Sequence, residues 1–182
     1  MPDESSQSFF SNLKKLFNLN NNTEQVAKHI EPEDERIEEL IENVLSIKDS
    51  VVKEIMIPKV TISYITESDS LEHVYSVVNN TKHSRYPVFN SDKDKVIGIL
   101  HVKDMLGAIK KDGFSLSSIL REAKHIPESQ SVTSLLEDFK KDKAHLAIVL
   151  DEYGVISGLI TIEDILEEIV GEIEDEFYEE KN

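Results

Sequence analysis

A hydroxyl and a carboxylate occur together at the end of a repeated stretch of the sequence. In Gly158-Leu159-Ile160-Thr161-Ile162-Glu163-Asp164, a glycine within an apolar run is followed by Thr161 and then, three residues later, by Asp164. An upstream copy, Gly98-Ile99-Leu100-His101-Val102-Lys103-Asp104, has His101 where the second copy has threonine. Apolar residues at helical spacing follow each copy, so each predicts a strand, a turn and the start of a helix. The free N–H groups and positive dipole of a helix start suit the sugar and phosphate of a nucleotide.

The Thr161 and Asp164 pair has two compatible interpretations. On one helical turn, the Asp164 carboxylate can accept from both ribose hydroxyls while the Thr161 hydroxyl donates to phosphate. Gly158 would let the strand backbone approach such a ligand closely. The same spacing is typical of a helix N-cap with an acidic residue at its third position, which stabilises a helix by about 1 kcal/mol. Both interpretations can hold at once.

The composition is that of a soluble globular protein. The 182 residues are 39% hydrophobic and 31% charged, and no apolar run approaches the roughly 20 residues that span a bilayer. The start of the chain also lacks the apolar core of a signal peptide, so we expect a cytoplasmic protein. With no cysteine in the sequence, a disulfide framework and thiolate metal sites are excluded.

The net charge restricts the possible partners. A formal charge of −16 would repel nucleic acid, and no basic patch is visible in the sequence to offset it. No nucleic-acid partner is therefore predicted. For the same reason, a polyphosphate ligand would need a basic side chain or a divalent cation to hold it.

The middle of the chain contains an internal repeat. Ile65-Thr66-Glu67-Ser68-Asp69-Ser70-Leu71 matches Ile126-Pro127-Glu128-Ser129-Gln130-Ser131-Val132 at a shift of 61 residues. Two strands are predicted after each copy, at 85–89 and 96–100 and again at 146–150 and 155–160. One unit of about 60 residues buries too little surface alone. We therefore predict an α+β fold, α/β-like in its alternation, with two β-α-β-β-α units packed face to face about a pseudo-twofold axis.

Five segments are predicted along the chain. They are a flexible N-terminal arm at 1–30, lead-in helices at 31–58, repeat 1 at 59–112, repeat 2 at 113–172, and an acidic tail at 173–182. The arm carries an apolar stripe that could dock on a membrane, but its two lysines would add only about 1 kcal/mol each. A helix that covers the core is the interpretation we favour. Asp49 or Ser50 is expected to cap the second lead-in helix.

The tandem repeat resembles a CBS-domain pair, also called a Bateman module. Three further motifs narrow the resemblance: Glu54-Ile55-Met56-Ile57-Pro58-Lys59-Val60, Ser84-Arg85-Tyr86-Pro87-Val88, and Leu150-Asp151-Glu152-Tyr153-Gly154 with the acidic run at 167–176. Together they resemble the CorC/HlyC family, which is linked to magnesium and cobalt efflux. Members of that family usually continue into a transporter-associated domain, which could follow the acidic tail.

The resemblance implies an adenosine-nucleotide site in the cleft between the repeats. The ligand would be ATP, ADP or AMP, and Mg2+ could enter with the nucleotide. Arg85 would supply positive charge to the phosphates, Pro87 would form a flat wall for the base, and Ile62, on a strand expected at 61–65, would contact the adenine. The motif that faces the Thr-Asp pair across this cleft comprises Ser84, Arg85, Tyr86 and Pro87.

A second cleft, related by pseudosymmetry, is predicted to bind more weakly. His101 replaces the threonine beside Asp104, and Leu146, next to His145, occupies the position that corresponds to Arg85. We therefore expect one good site per chain. None of the six histidines has the spacing of a paired metal ligand, so no protein metal site is predicted.

As a CorC-type CBS pair, the chain would be a regulatory module. The resemblance implies a homodimer formed through the repeats, with a membrane transporter as partner, in the cytoplasm and peripheral to the inner face of the cell membrane. A ligand-free dimerisation scaffold and a haemolysin-like protein are the alternatives. No nucleophile elbow, P-loop or paired metal-ligand motif is present, so no enzymatic activity is predicted.

Overall fold

Helices and strands alternate along the chain in two similar blocks. The computed structural model describes residues 35–108 and 115–171, so the predictions for the N-terminal arm and the acidic tail lie outside the described residues. The α-helices within these ranges are α1 (Glu35–Asp49), α2 (Val52–Ile55), α3 (Leu71–Thr81), α4 (Val102–Ala108), α5 (Val132–Asp142) and α6 (Ile162–Val170). The strands are β1 (Ile57–Pro58), β2 (Ile65–Thr66), β3 (Arg85–Phe89), β4 (Val96–His101), β5 (Lys124–Pro127), β6 (Leu146–Leu150) and β7 (Ile156–Thr161). Short 3-10 helices occur at Lys59–Thr61 and Leu116–Ile119.

Each repeat builds one small sheet. The first sheet has the order β2-β3-β4, and the second has the order β1-β7-β6-β5. In both sheets the strand before the long helix is parallel to the next strand, which is antiparallel to the last. The second sheet gains an extra strand because β1 pairs with β7, joining Ile57 to Leu159 and Pro58 to Gly158. The predicted α+β fold with tandem repeats is confirmed.

The backbone repeats in its irregular features as well. Ser70 and Ser131 cap α3 and α5, each through a hydroxyl that accepts a backbone N–H three residues on. Lys82 and Lys143 end the same helices in the left-handed conformation, with φ of 56° and 52°. These two pairs of residues are 61 positions apart, so the repeat found in the sequence extends to its caps.

Strand alternation divides the apolar side chains between three clusters. One face of each sheet packs on the helices of its own repeat, with Tyr86 and Leu100 in the first and Val149 and Ile160 in the second. The opposite faces of the two sheets meet in a shared cluster of buried residues. Its members are Ile62, Phe89, Val96, Ile99, Leu146, Ile148, Ile156 and Leu159. This cluster joins the repeats face to face, as predicted.

The lead-in helices pack against the second repeat. Ile47 of α1 and Val52 of α2 are buried in the same cluster as the second sheet and its helices. The Asn43 side chain donates to the carbonyl of Ile169 at 3.3 Å, and the Val52 N–H donates to the carbonyl of Gln130 at 2.9 Å. No helix in the described part of the chain is long and apolar enough to cross a membrane.

Two local predictions were wrong. The strand expected at 61–65 is a 3-10 turn followed by extended chain, and pairing begins only at Ile65. The Thr61 hydroxyl donates to the Pro58 carbonyl at 2.9 Å, which holds that turn. Neither Asp49 nor Ser50 caps α2: its N-cap is Val51, whose backbone N–H donates to the Glu54 carboxylate.

Candidate functional site

A cavity of about 490 Å3 lies between the two repeats. Its walls come from the turn after β1, from the start of β3 in the first repeat, and from the corner between β7 and α6 in the second. The residues that line it are Ile57, Thr61, Ile62, Ser63, Lys82, His83, Ser84, Arg85, Pro87, Leu146, Leu159, Thr161, Glu163 and Asp164. Six of the eight residues predicted for the main site are therefore brought together.

Thr161 and Asp164 form a capping box at the start of α6. The Asp164 N–H donates to the Thr161 hydroxyl at 3.1 Å, and one oxygen of the Asp164 carboxylate accepts from both the N–H and the hydroxyl of Thr161, each at 2.7 Å. The helix-cap interpretation is confirmed. It also changes the expected chemistry, because the hydroxyl proton is given to Asp164 and is not available to a phosphate while that bond holds.

Arg85 reaches from the first repeat to the second. It begins β3, its side chain is 23% exposed, and its Nη1 lies 3.6 Å from Oε1 of Glu163 in the first turn of α6. The guanidinium thus stands beside the capping box of the other repeat. Sequence reasoning missed Glu163, although its position between Thr161 and Asp164 could have indicated it.

An apolar wall completes the cavity. Pro87 lies two residues beyond Arg85 on β3, so both side chains are on the same face of that strand. Ile62 is buried and belongs to the cluster shared by the two sheets. Ser84 is exposed at the rim, and its carbonyl accepts from the N–H of Val102 at 3.0 Å. Polar groups and an apolar wall therefore face the same space.

Neither Tyr86 nor Gly158 is among the residues that line the cavity. Tyr86 alternates with Arg85 and Pro87, so it points into the core of the first repeat, where its hydroxyl lies 2.6 Å from that of Thr81. A Cβ added at Gly158 would lie 2.4 Å from the carbonyl oxygen of Ile57. The close approach that requires a glycine here is that of β1 and not that of a ligand.

Lys82 also lines the cavity, and the motif analysis missed it. Its left-handed φ of 56° ends α3 and turns the chain toward β3. The sequence signal was the basic residue three positions before Arg85. Leu146, which was expected in the weaker cleft, also lines this cavity. It begins β6 and pairs with Thr161, so it lies beside the corner between β7 and α6.

In the first repeat, the counterpart of the capping corner is engaged in an ion pair. The Arg121 guanidinium donates two hydrogen bonds to the Asp104 carboxylate, from Nε at 2.8 Å and from Nη2 at 3.0 Å. These bonds hold the pKa of Asp104 below its usual value. No role was predicted for Arg121 from the sequence. Arg121 pairs with Ile99 of β4 in the way that Ile57 pairs with Leu159 of β7. The basic Arg121 therefore takes the position that the apolar Ile57 has beside the other sheet.

The positive charge of Arg85 acts on two histidines, His101 and His145. His101 is buried at the end of β4, directly opposite Arg85 in the strand register. Burial, followed by the positive charge of Arg85, lowers the pKa of His101. His145 is more exposed, and the same two causes lower its pKa. Among the described residues, no group of three or more His, Asp or Glu side chains could hold a metal ion.

Comparisons with known proteins agree with this architecture. A family model described as "CBS domain" matches residues 52–111 and 116–171. The CBS domain of a bacterial CNNM/CorC family Mg2+ transporter, solved in complex with ATP, has a TM-score of 0.70 and 35% identity, covering 76% of this chain and 99% of that one. The chain belongs to the CBS-domain pairs of the CorC family. In this CBS pair, α2 and β1 fall within the first matched range, although both pack against the second repeat.

Curated relatives of the CBS pair are longer proteins. The magnesium and cobalt efflux protein CorC of Pasteurella multocida is 44% identical over 150 residues, 81% of this chain and 50% of the relative. The same-named protein of Escherichia coli K12 is 44% identical over 149 residues, 81% of this chain and 51% of the relative. This chain thus spans about half the length of these relatives. A CBS-domain pair from Klebsiella pneumoniae with bound AMP has a TM-score of 0.60 and 29% identity, covering 68% of this chain and 100% of that one.

Proposed function

We propose that this CBS pair is the regulatory, nucleotide-binding module of a CorC-type magnesium and cobalt efflux protein. It binds an adenosine nucleotide between its repeats and couples binding to divalent cation transport. The observation that carries the proposal is the cavity in which Arg85 of one repeat meets Thr161 and Asp164 of the other. Support comes from the solved relatives described as complexes with ATP and AMP.

The parts of the cavity match the parts of a nucleotide. The carboxylate of Asp164 has a second oxygen that makes no hydrogen bond to the described residues, and it would accept from the ribose hydroxyls. Arg85 and Lys82 would face the phosphates, and the wall of Ile62 and Pro87 would cover the base. A cavity of about 490 Å3 is within the range of about 300 to 1,000 Å3 that is usual for small-molecule sites.

The charge of the cavity bears on the role of Mg2+. Among its lining residues, two are basic and two acidic, namely Lys82 and Arg85 against Glu163 and Asp164. The walls therefore carry no formal excess of positive charge with which to balance a triphosphate. Mg2+ that is carried in with ATP would supply this positive charge. We therefore expect Mg2+ to increase the affinity for ATP more than the affinity for AMP.

The cavity also suggests how binding is transmitted. Its walls belong to different repeats, and a nucleotide can shift the arrangement of the repeats only by binding one arrangement more tightly than another. We place the module on the cytoplasmic side of the membrane, as a homodimer beside a transporter partner. Light scattering with and without ATP would measure the assembly against the chain mass of 20.7 kDa.

Isothermal titration calorimetry with ATP, ADP and AMP, each with and without Mg2+, tests the proposal. We expect micromolar affinity and about one nucleotide per chain. Arg85→Gln should weaken ATP binding roughly tenfold or more, since charged hydrogen bonds contribute about 1.5 to 3 kcal/mol. The matched control is Arg121→Gln, the same substitution in the other cleft. Arg121 is paired with Asp104 and not with the proposed ligand, so this variant should change the ATP affinity by less than about twofold.

The opposite outcome would favour the scaffold alternative. If the folded wild-type chain binds none of the three nucleotides, the capping box serves α6 alone and the nucleotide proposal fails. If Arg121→Gln weakens binding as much as Arg85→Gln, the ligand occupies the other cleft. Release of phosphate from ATP by the pure chain would instead indicate an enzyme.

A further inference from the structure

One buried polar atom in the described structure has no partner. His101 is only 9% exposed, and its Nδ1 makes no hydrogen bond to any described residue. Leaving a buried polar atom unpaired costs free energy. His101 is opposite Arg85, which lines the cavity, and this position points to a function beyond packing.

His101 lies beside Arg85, the cation that would face the phosphates. Arg85 and His101 are directly opposite each other on β3 and β4, and such pairs have Cβ atoms about 5 Å apart on one face of the sheet. That face carries Arg85 into the cavity. The geometry therefore puts the imidazole next to the guanidinium that would meet the ligand.

The charges that act on His101 come from three segments besides its own strand. Arg85 lies on β3, Lys103 and Asp104 on α4, and Arg121 in the segment before β5. Three of these four charges are positive, and Arg121 is already paired with Asp104. Burial, together with the three positive charges, holds the pKa of His101 below its ordinary value, which favours the neutral ring.

We propose that His101, which does not itself line the cavity, takes up a proton when an anionic ligand binds at Arg85, and that the imidazolium then adds to the positive charge behind the phosphate site. This inference rests on the nucleotide function proposed above. A bound phosphate would neutralise Arg85 and bring negative charge toward the ring, and both changes favour the imidazolium. An imidazolium has an N–H at both ring nitrogens, so Nδ1 would carry a proton in the bound state.

His145 has a related but weaker position. It experiences Arg85 and Lys103, which lower its pKa, and Glu163, which raises it. Because His145 is exposed, water screens these charges more than it does at His101. We therefore assign most of the proton uptake to His101.

Proton uptake can be measured by titrating ATP into the full chain at pH 7 in buffers of different ionisation enthalpy. The dependence of the binding enthalpy on the buffer gives the number of protons taken up. Wild type should take up more protons than His101→Gln, and its ATP affinity should rise more steeply as the pH falls from 8 to 6. Each unit by which binding raises the pKa tightens binding by up to about tenfold at low pH.

His125→Gln is the matched control. His125 is exposed on β5 and does not line the cavity, so this variant should take up as many protons as wild type. The second pKa of a phosphate lies near 6, and ATP itself therefore contributes protons, but this contribution is the same for every variant. Equal proton numbers for wild type and His101→Gln would overturn the inference and leave the nucleotide site standing, whereas wild type that binds no ATP would remove both.

Nuclear magnetic resonance provides a test on the wild-type chain. It does not depend on whether a variant of the buried His101 folds. The imidazole C–H signals of the wild-type chain are followed against pH, with and without saturating ATP. We expect the pKa of His101 to rise by about one unit or more when ATP is bound. An unchanged pKa in a chain saturated with ATP would overturn the proposal.

Discussion

At the residue scale, Thr161 and Asp164 cap the start of α6, and they do so in the absence of a ligand. Their three hydrogen bonds close the first turn of α6. Removing either side chain therefore affects folding as well as any binding. An experiment that uses these residues has to separate the two effects.

Two substitutions at Asp164 achieve that separation. Asp164→Ala should lower the free energy of unfolding by about 1 kcal/mol, since it removes a helix cap, and Asp164→Asn should lower it by less, since the amide oxygen can still accept. Both should weaken nucleotide binding, because neither offers a charged acceptor to the ribose. Urea denaturation and calorimetry on the same samples measure both quantities. An alanine variant with wild-type stability would contradict the cap assignment.

Tyr86 tests whether a residue of the recognised motif is structural. Its hydroxyl lies 2.6 Å from that of Thr81 and accepts from the N–H of His83 at 3.0 Å. Tyr86→Phe leaves these groups without their partner and should lower the free energy of unfolding by about 1 to 2 kcal/mol. The ATP affinity should stay within twofold of wild type, as the ring lies outside the cavity. A tenfold loss of affinity with unchanged stability would show that this placement is wrong.

The buried His101 also predicts how stability depends on pH. Its pKa is lowered in the folded chain relative to about 6.5 in the unfolded one. The unfolded state therefore binds more protons between these two values, and the free energy of unfolding falls as the pH drops from about 6.5 toward the folded pKa. Urea midpoints between pH 8 and pH 5 measure this loss, and His101→Gln should make it smaller. An equal loss in the variant would assign the effect to other groups.

At the element scale, Gly98 and Gly158 lie at matching positions of β4 and β7, and each leaves room for a neighbouring segment of the chain. The room is tighter at Gly158. Gly158 lies against β1, and a Cβ there would meet the Ile57 carbonyl oxygen at 2.4 Å. A Cβ at Gly98 would lie 2.9 Å from both the carbonyl oxygen of Arg121 and the Cβ of Leu120. In both cases the chain that precedes the first strand of one repeat crosses the last strand of the other repeat at its glycine.

Gly158→Ala should therefore detach or displace β1. Forcing a methyl group into such a contact costs about 1 to 3 kcal/mol, and backbone cannot move aside as a flexible side chain can. Gly98→Ala should cost less, because its contacts are longer. Urea denaturation of the two variants compares them directly, and a larger loss for Gly98→Ala would contradict this ranking.

The regular elements were predictable because their signals are local. Alternating and apolar runs located β3 and β6 to the residue, and the self-match located α3 and α5. The segment at 61–65 was apolar enough to suggest a strand. Its first part instead forms a turn, held by the Thr61 hydroxyl on the Pro58 carbonyl, so a local side-chain bond competed with the strand pattern.

The site was predictable only in part because half of it depends on long-range pairing. Strand alternation should have excluded Tyr86, which the motif included, since Arg85 and Pro87 cannot share a face with it. Nothing local could have indicated that β1 would occupy the space beside Gly158. The bidentate bond of Arg121 to Asp104 likewise joins segments 17 residues apart whose approach depends on the fold.

At the scale of the whole molecule, the cavity and the core between the repeats are continuous. Ile62, Leu146 and Leu159 belong to the apolar cluster that joins the two sheets, and they also line the cavity. Any change in how the repeats pack would alter the wall that faces the proposed base. This continuity is the physical basis on which a nucleotide could change the arrangement of the two repeats.

The position of the nucleotide is the central claim, and a crystal structure of the chain grown with ATP and Mg2+ tests it most directly. We predict one nucleotide per chain in the cavity between the repeats, with its phosphates at Arg85 and its ribose at Asp164. Density for the nucleotide in the other cleft, with Arg121 displaced from Asp104, would contradict the account. So would a nucleotide bound outside both clefts.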